Sequence, residues 1–106
     1  MAKETNAYSF DSLIENVTDW ADNRMLLKKE NASKQMLKVM EEVGETASAL
    51  LKGDELKLID GIGDSFVTLI ILSKQLGLNP SVCLQVAWSE IKNRTGKTVD
   101  GTFIKD

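Results

Sequence analysis

The chain contains no histidine, one cysteine and one proline among its 106 residues. The missing imidazole removes histidine general-base catalysis and every metal centre that depends on a His ligand. A four-helix di-iron carboxylate site needs a Glu-x-x-His pair on each of two helices, and hydrolytic zinc is usually held by His; neither can be built here. The lone Cys83 excludes an intrachain disulfide and fits a reducing compartment. Proline occurs only at position 80 and glycine only seven times, so long uninterrupted helices are the natural expectation. The longest apolar run, Phe66 to Leu72, is too short to span a bilayer, and the opening Met-Ala-Lys-Glu-Thr-Asn has no apolar signal core. A net charge of −3 gives no general attraction to a nucleic-acid polymer or an anionic membrane. What is present, 42% apolar and 27% charged residues, is an ordinary globular balance. These features predict a soluble cytoplasmic protein with one domain over residues 1–106.

Apolar periodicity divides the chain into four helices. The first is expected from about Phe10 to Met25, capped by Ser9 or Asp11, with Phe10, Leu13, Ile14, Val17, Trp20 and Ala21 on one stripe. A polar loop follows, Leu26 to Asn31. The second helix runs from near Ser33 to near Gly53, and Met36, Met40, Val43, Ala47 and Leu50 recur at 4, 3, 4, 3 spacing as its packing seam. The third, Asp54 to Leu76 with a stop at Gly77, is apolar on nearly every side and is therefore expected to be buried. The fourth opens at Asn79-Pro80, an N-cap followed by proline, and stops at Thr95-Gly96. A turn at Asp100-Gly101 and a short extended piece at Thr102-Phe103-Ile104 complete the tail.

Carboxylates carry the chemistry. Glu41, Glu42 and Glu45 fall within one and a half turns of the second helix, roughly opposite its apolar seam. Asp60 and Asp64 lie one turn apart on the third. If these helices are antiparallel, the two sets converge, and converging carboxylates repel one another unless a cation lies between them. Oxygen donors without Cys or His favour Mg²⁺ or Mn²⁺. The alternative for the Glu face is plain solvation. Asp64 shares its face with Val67 and Ile71, where an unpaired charge is costly. Gly61 and Gly63, each about 1 kcal/mol unfavourable inside a helix, suggest a closely approaching backbone or ligand. The alternative is a kink, or a helix that begins only after Gly63 with Asp64 as its N-cap. Lys92, Arg94 and Lys97 bunch at the end of the fourth helix. They either complement the helix dipole or, beside a carboxylate–metal site, suit a phosphate-rich substrate. The reaction such a set supports is metal-assisted attack of water on phosphorus.

From Met36 to Lys105 these residues resemble the MazG-like all-α nucleoside triphosphate pyrophosphohydrolases. That family carries E-E-x-x-E on one helix and E-x-x-D on the next. The first motif stands intact as Glu41-Glu42-Val43-Gly44-Glu45. The second reads Gly61-Ile62-Gly63-Asp64, with Gly61 where the family has Glu. The tail, Glu90 to Lys97 followed by Asp100-Gly101-Thr102-Phe103-Ile104-Lys105, is similar to that of smaller members, phage-borne ones included. The resemblance implies a four-helix MazG-like bundle completed by oligomerisation as a homodimer or homotetramer, with sites near subunit interfaces. It implies hydrolysis of a (deoxy)nucleoside triphosphate to the monophosphate and pyrophosphate. Glu42, Glu45 and Asp64 would hold Mg²⁺, with Asp60 replacing the missing Glu. Glu41 would be a further ligand or would orient the attacking water. Lys92, Arg94 and Lys97 would meet phosphate, and Asn93 sugar or phosphate. Trp20 or Trp88 would stack on the base, although both lie on apolar stripes, where core packing is the simpler role. Two alternatives stay open: a non-catalytic helical oligomer that binds nucleotide or protein, and a dUTP/dUDP-type hydrolase of the same fold.

Overall fold

The computed structural model describes residues 8–106. The expected lack of a leader in the first residues lies outside that range. Four helices follow in order: α1 (Phe10–Asn23), α2 (Ala32–Lys52), α3 (Glu55–Gln75) and α4 (Pro80–Ile91). A 3₁₀ turn (Lys29–Asn31) precedes α2, and two short strands, β1 (Gly96–Val99) and β2 (Thr102–Lys105), close the chain. The fold is predominantly α-helical, as expected. None of the described helices is long and apolar enough to cross a membrane.

Local chemistry explains most boundaries. Ser9 caps α1 in a reciprocal box with Ser12, each side chain meeting the other's backbone N–H at 2.9–3.0 Å; such a cap contributes about 1 kcal/mol. α1 ends two residues short of Met25, which adopts φ +59°. Asp54 caps α3 by accepting from the Lys57 N–H. Asn79 caps α4, with Pro80 at its first position. Gly53, at φ +70°, closes α2 in the left-handed conformation and turns the chain straight back into α3. α3 is continuous from Glu55, so a start after Gly63 is overturned, as is an N-cap role for Asp64. α4 ends at Ile91, earlier than expected, which leaves Lys92, Asn93 and Arg94 in the following turn and Lys97 on β1.

The tail is a β-hairpin. Val99 pairs with Thr102 across Asp100 and Gly101, whose φ values are +50° and +78°. Two consecutive positive φ angles make the two-residue hairpin turn that Asp-Gly favours.

The core lies between α2 and α3, with α1 laid across α3. Here two expectations fail. The face of α2 that packs on α3 runs through Gln35, Val39, Glu42, Thr46 and Ala49, while Met36, Met40, Val43, Ala47 and Leu50 are exposed. α3 is likewise not buried all round: Ile70 and Ile71 are buried, but Ile59, Ile62, Phe66 and Leu69 are exposed. Both patterns are of correct helical period. The single chain simply has too few helices to cover two apolar faces at once, and the face that wins is the one where small and polar residues let the backbones approach closely. Trp20 and Trp88, at 47% and 57% exposure, are likewise not core residues of one chain.

Candidate functional site

α2 and α3 are antiparallel neighbours, and a polar seam fixes their register. Gln35 Nε2 donates to the Thr68 carbonyl at 3.1 Å. The Thr46 and Ser65 hydroxyls meet at 3.5 Å, and each also bonds its own helix, Thr46 to the Glu42 carbonyl and Ser65 to the Gly61 carbonyl. Gly61 faces Thr46 so closely that a Cβ there would lie 2.5 Å from Thr46 Oγ1 and 3.2 Å from Thr46 Cα. Gly61 is thus the close-approach glycine. Gly63 has open space around its Cβ position, and the expectation of a close neighbour there is not met.

Helical spacing brings the α2 carboxylates together. One carboxylate oxygen from each of Glu41, Glu42 and Glu45 lies within 4.8 Å of the others. Glu42, on the packed face rather than opposite it, is half-buried. Its pKa is raised above the ordinary 4.5 by burial first, then by the neighbouring charges of Glu45, Asp64 and Glu41, against a smaller opposing effect of Lys38. Asp64 on α3 therefore belongs to the same electrostatic group as the α2 triad. Lys38 holds Glu41 in an exposed ion pair at 3.3 Å, a contact of only a few tenths of a kcal/mol that leaves Glu41 free to move.

Asp60 takes a different position. It lines a cavity of about 300 Å³ with Glu45, Gly61 and Asp64, at the end of the helix pair that Gly53 closes. The same cavity is walled by Ser48, Lys52 and Lys57. Sequence reasoning assigned no role to these three. The signal was present: Lys52 and Lys57 flank the Gly53-Asp54 turn, and any antiparallel hairpin about that turn carries both toward Asp60.

Asp64 has a second cavity on its other side. Asn16, Val17 and Trp20 of α1 and Val67 of α3 line it with Asp64 as an open groove of about 440 Å³. Trp20 carries the Arg24 guanidinium over its ring at 4.2 Å, and Arg24 Nη1 donates to the Trp20 carbonyl. The indole is thereby held in place beside Asp64. Trp88, on exposed α4, lines none of these cavities. Nor do Lys92, Asn93, Arg94 and Lys97.

The donor set fits a hard divalent cation. Ligands about 2.1 Å from Mg²⁺ are at most roughly 4.2 Å apart, so the Glu triad needs only a small closing movement of its side chains. Their mutual repulsion opposes that movement until a cation offsets it. A pH effect follows. The folded chain holds the Glu42 proton more tightly than the unfolded chain, so metal-free stability falls as pH rises from about 4.5 through the raised pKa. The expected result is a lower melting temperature at about pH 7 than at about pH 5 in chelator, a smaller difference in Mg²⁺, and a flatter profile for Glu42→Gln. A Glu42→Gln profile as steep as that of the unmodified chain would place the effect elsewhere.

No protein-family profile matches the chain, and no solved structure matches it significantly. An uncharacterized 18.2 kDa protein from the rep-hol intergenic region of Haemophilus phage HP1 (strain HP1c1) is 43% identical to it over 63 residues. That alignment covers 59% of this chain and 39% of the phage protein's length.

Proposed function

We propose that the chain is a MazG-like, Mg²⁺-dependent (Mn²⁺ also serving) pyrophosphohydrolase that converts a (deoxy)nucleoside triphosphate to its monophosphate and pyrophosphate. One observation carries the reading: Asp64 lines both the carboxylate cavity and an open groove that Trp20 also lines. A nucleoside triphosphate has the matching two ends, an anionic chain that travels with divalent cations and a flat base. Trp20 offers a stacking surface for the base, and the Asn16 amide, one turn away on α1, offers both a donor and an acceptor to the base edge. Lys52, Lys57 and Ser48 offer two cations and a hydroxyl to the phosphates at the far side of the carboxylates. Phosphoryl transfer depends chiefly on positioning and charge neutralisation, and this set supplies both.

Glu42, Glu45 and Asp64 would hold the cation, with Asp60 as a further oxygen donor from the cavity wall. A bound divalent cation neutralises phosphate charge and lowers the pKa of water. Glu41, exposed and in an ion pair with Lys38, would be a further ligand or would orient the attacking water and accept its proton. The exposed apolar faces of α2 and α3 support assembly as a homodimer or homotetramer, since large contiguous apolar patches on a chain this small mark interfaces.

A second reading has its own observation. Gly61 removes the ligand the family places there, and Thr46 fills the space. A chain so altered could bind nucleotide without turning it over. One experiment separates the two: product identification over the common nucleoside triphosphates with Mg²⁺, Mn²⁺ or chelator. The enzyme reading expects pyrophosphate release that chelator abolishes. Metal-dependent nucleotide binding with no product would favour the binder, and phosphate release in excess chelator would defeat both.

A further inference from the structure

Arg24 follows a helix rich in carboxylates and pairs with none of them. α1 carries Asp11, Glu15, Asp19 and Asp22 and no basic residue, yet among the described residues the Arg24 guanidinium forms no ion pair. It lies instead over the Trp20 ring, 4.2 Å from the centroid, and Nη1 donates to the Trp20 carbonyl at 2.9 Å. That carbonyl lacks its usual partner four residues on, because the Arg24 N–H turns to the Ala21 carbonyl at 3.1 Å. The guanidinium is thus held by its own helix end, flat ring on one side and carbonyl on the other.

The two sides of the indole are therefore unequal. Helical side chains lean toward the N-terminus, so Arg24 reaches over Trp20 from one turn later, while Asn16 and Val17 stand one turn earlier. Asn16 and Val17 line the groove with Trp20, and Arg24 does not. A cation covers one face of the ring, and the groove that reaches Asp64 lies on the other. A cation over an aromatic face draws π density toward itself. The opposite face is left poorer in electrons, and stacking on it is strongest for an electron-rich partner. Guanine is the most electron-rich of the common bases and adenine the next. The pyrimidines are poorer in electrons and smaller. A ring already fixed by Arg24 also loses less freedom when a base settles on it.

We infer that Arg24 is a positioning residue for the base: it fixes the Trp20 indole, withdraws electron density from the face turned to the groove, and so selects a purine, guanine foremost. The inference rests on the nucleotide reading above and names the base that reading leaves open.

The test uses the full chain in a Trp88→Phe background, which leaves Trp20 as its single tryptophan. Hydrolysis of guanosine, inosine, adenosine and uridine triphosphates is measured with Mg²⁺. Inosine keeps guanine's ring size and lacks the amino group that enriches it. Binding is read from quenching of the indole by the α,β-methylene analogues of guanosine and uridine triphosphate, which cannot be cleaved between those phosphates. The KM for the guanosine substrate should be lower than that for the uridine one by roughly tenfold, with inosine between them. Arg24→Gln keeps a donor for the Trp20 carbonyl and removes the charge. It should raise the guanosine KM by roughly fivefold, leave kcat within about twofold and leave the uridine KM nearly unchanged. Arg24→Lys, which returns a cation to the ring, should recover part of the preference. A residue that only caps α1 would instead lower the melting temperature and weaken every base alike. An equal loss on every base, a pyrimidine preference, or an Arg24→Gln chain with unchanged selection overturns this inference and leaves the nucleotide reading standing. Binding without turnover still decides the base through the quenching. If no base is hydrolysed and neither analogue quenches Trp20, the nucleotide reading fails and this inference falls with it.

Discussion

Glu42→Gln, Glu45→Gln and Asp64→Asn should each lower pyrophosphate release by roughly a hundredfold or more, while the metal-free fold holds or becomes more stable. The two halves of this expectation come from one cause. Glu42 sits where burial and the charges of Glu45, Asp64 and Glu41 all disfavour its ionised form. A chain that keeps four such carboxylates together carries a repulsion that, among the described residues, only the Lys38 contact to Glu41 relieves. Replacing one by its amide removes charge at nearly constant shape, so the repulsion falls and so does the grip on a cation. A merely structural carboxylate would behave in the opposite way, losing stability. The measurement is a paired one: product release with Mg²⁺, and the melting temperature in chelator. Asp60→Asn belongs in the same series. If Asp60 supplies the oxygen missing at Gly61, its loss should weaken metal affinity about as much as Asp64→Asn does. Unchanged affinity would leave Asp60 as a solvated residue of the cavity wall. Three near-normal rates from the first three variants would place the site elsewhere.

The second large effect is a contrast between two glycines. Gly63→Ala should stabilise the chain by up to about 1 kcal/mol, because alanine is the better helix former and nothing lies within 4 Å of the new methyl. Gly61→Ala gains the same propensity but drives its methyl against Thr46, including a backbone atom at 3.2 Å. Overpacking of that kind costs about 1–3 kcal/mol and outweighs the gain. Gly61→Glu should be worse, with a melting temperature lower by roughly 4–8 °C for each kcal/mol lost. Installing Glu at Gly61 in an Asp60→Asn background is therefore not expected to restore activity, because Thr46 takes the space that a side chain at position 61 would need. Relief should require a smaller residue at 46 and a shift of the helices. Thermal melts of the three single variants check the order, and a Gly61→Ala chain as stable as Gly63→Ala would show that α2 and α3 separate easily.

Much of the architecture was legible from the chain alone, for local reasons. Helix starts at Ser9, Asp54 and Asn79 and the stop at Gly53 are written in capping chemistry that acts within one turn. The Asp-Gly hairpin turn needs two positive φ angles that few residue pairs tolerate. The five carboxylates were visible because spacings of three and four place residues on one helical face whatever the helix packs against. What periodicity could not decide was which apolar face packs within the chain. α2 carries two candidate seams, and the more apolar one, Met36 through Leu50, is left uncovered. Close approach between Gly61 and Thr46 selects the other, and no count of apolar residues reveals a backbone contact. Because that choice turns Glu42 inward, it also raises the pKa of its carboxyl.

The sequence by itself thus determined the helical class, the element boundaries to within a few residues, and an oxygen-only, histidine-free set of acidic residues, since each follows from covalent structure and short-range geometry. Only the tertiary structure decided that Asp60 stands with Lys52 and Lys57 in one cavity, that Trp20 rather than Trp88 lines a groove with Asp64, and that Lys92, Arg94 and Lys97 fall beyond the end of α4. The first two are relations between residues distant in the chain, fixed by how two helices settle against each other, and helical period carries no information about that distance.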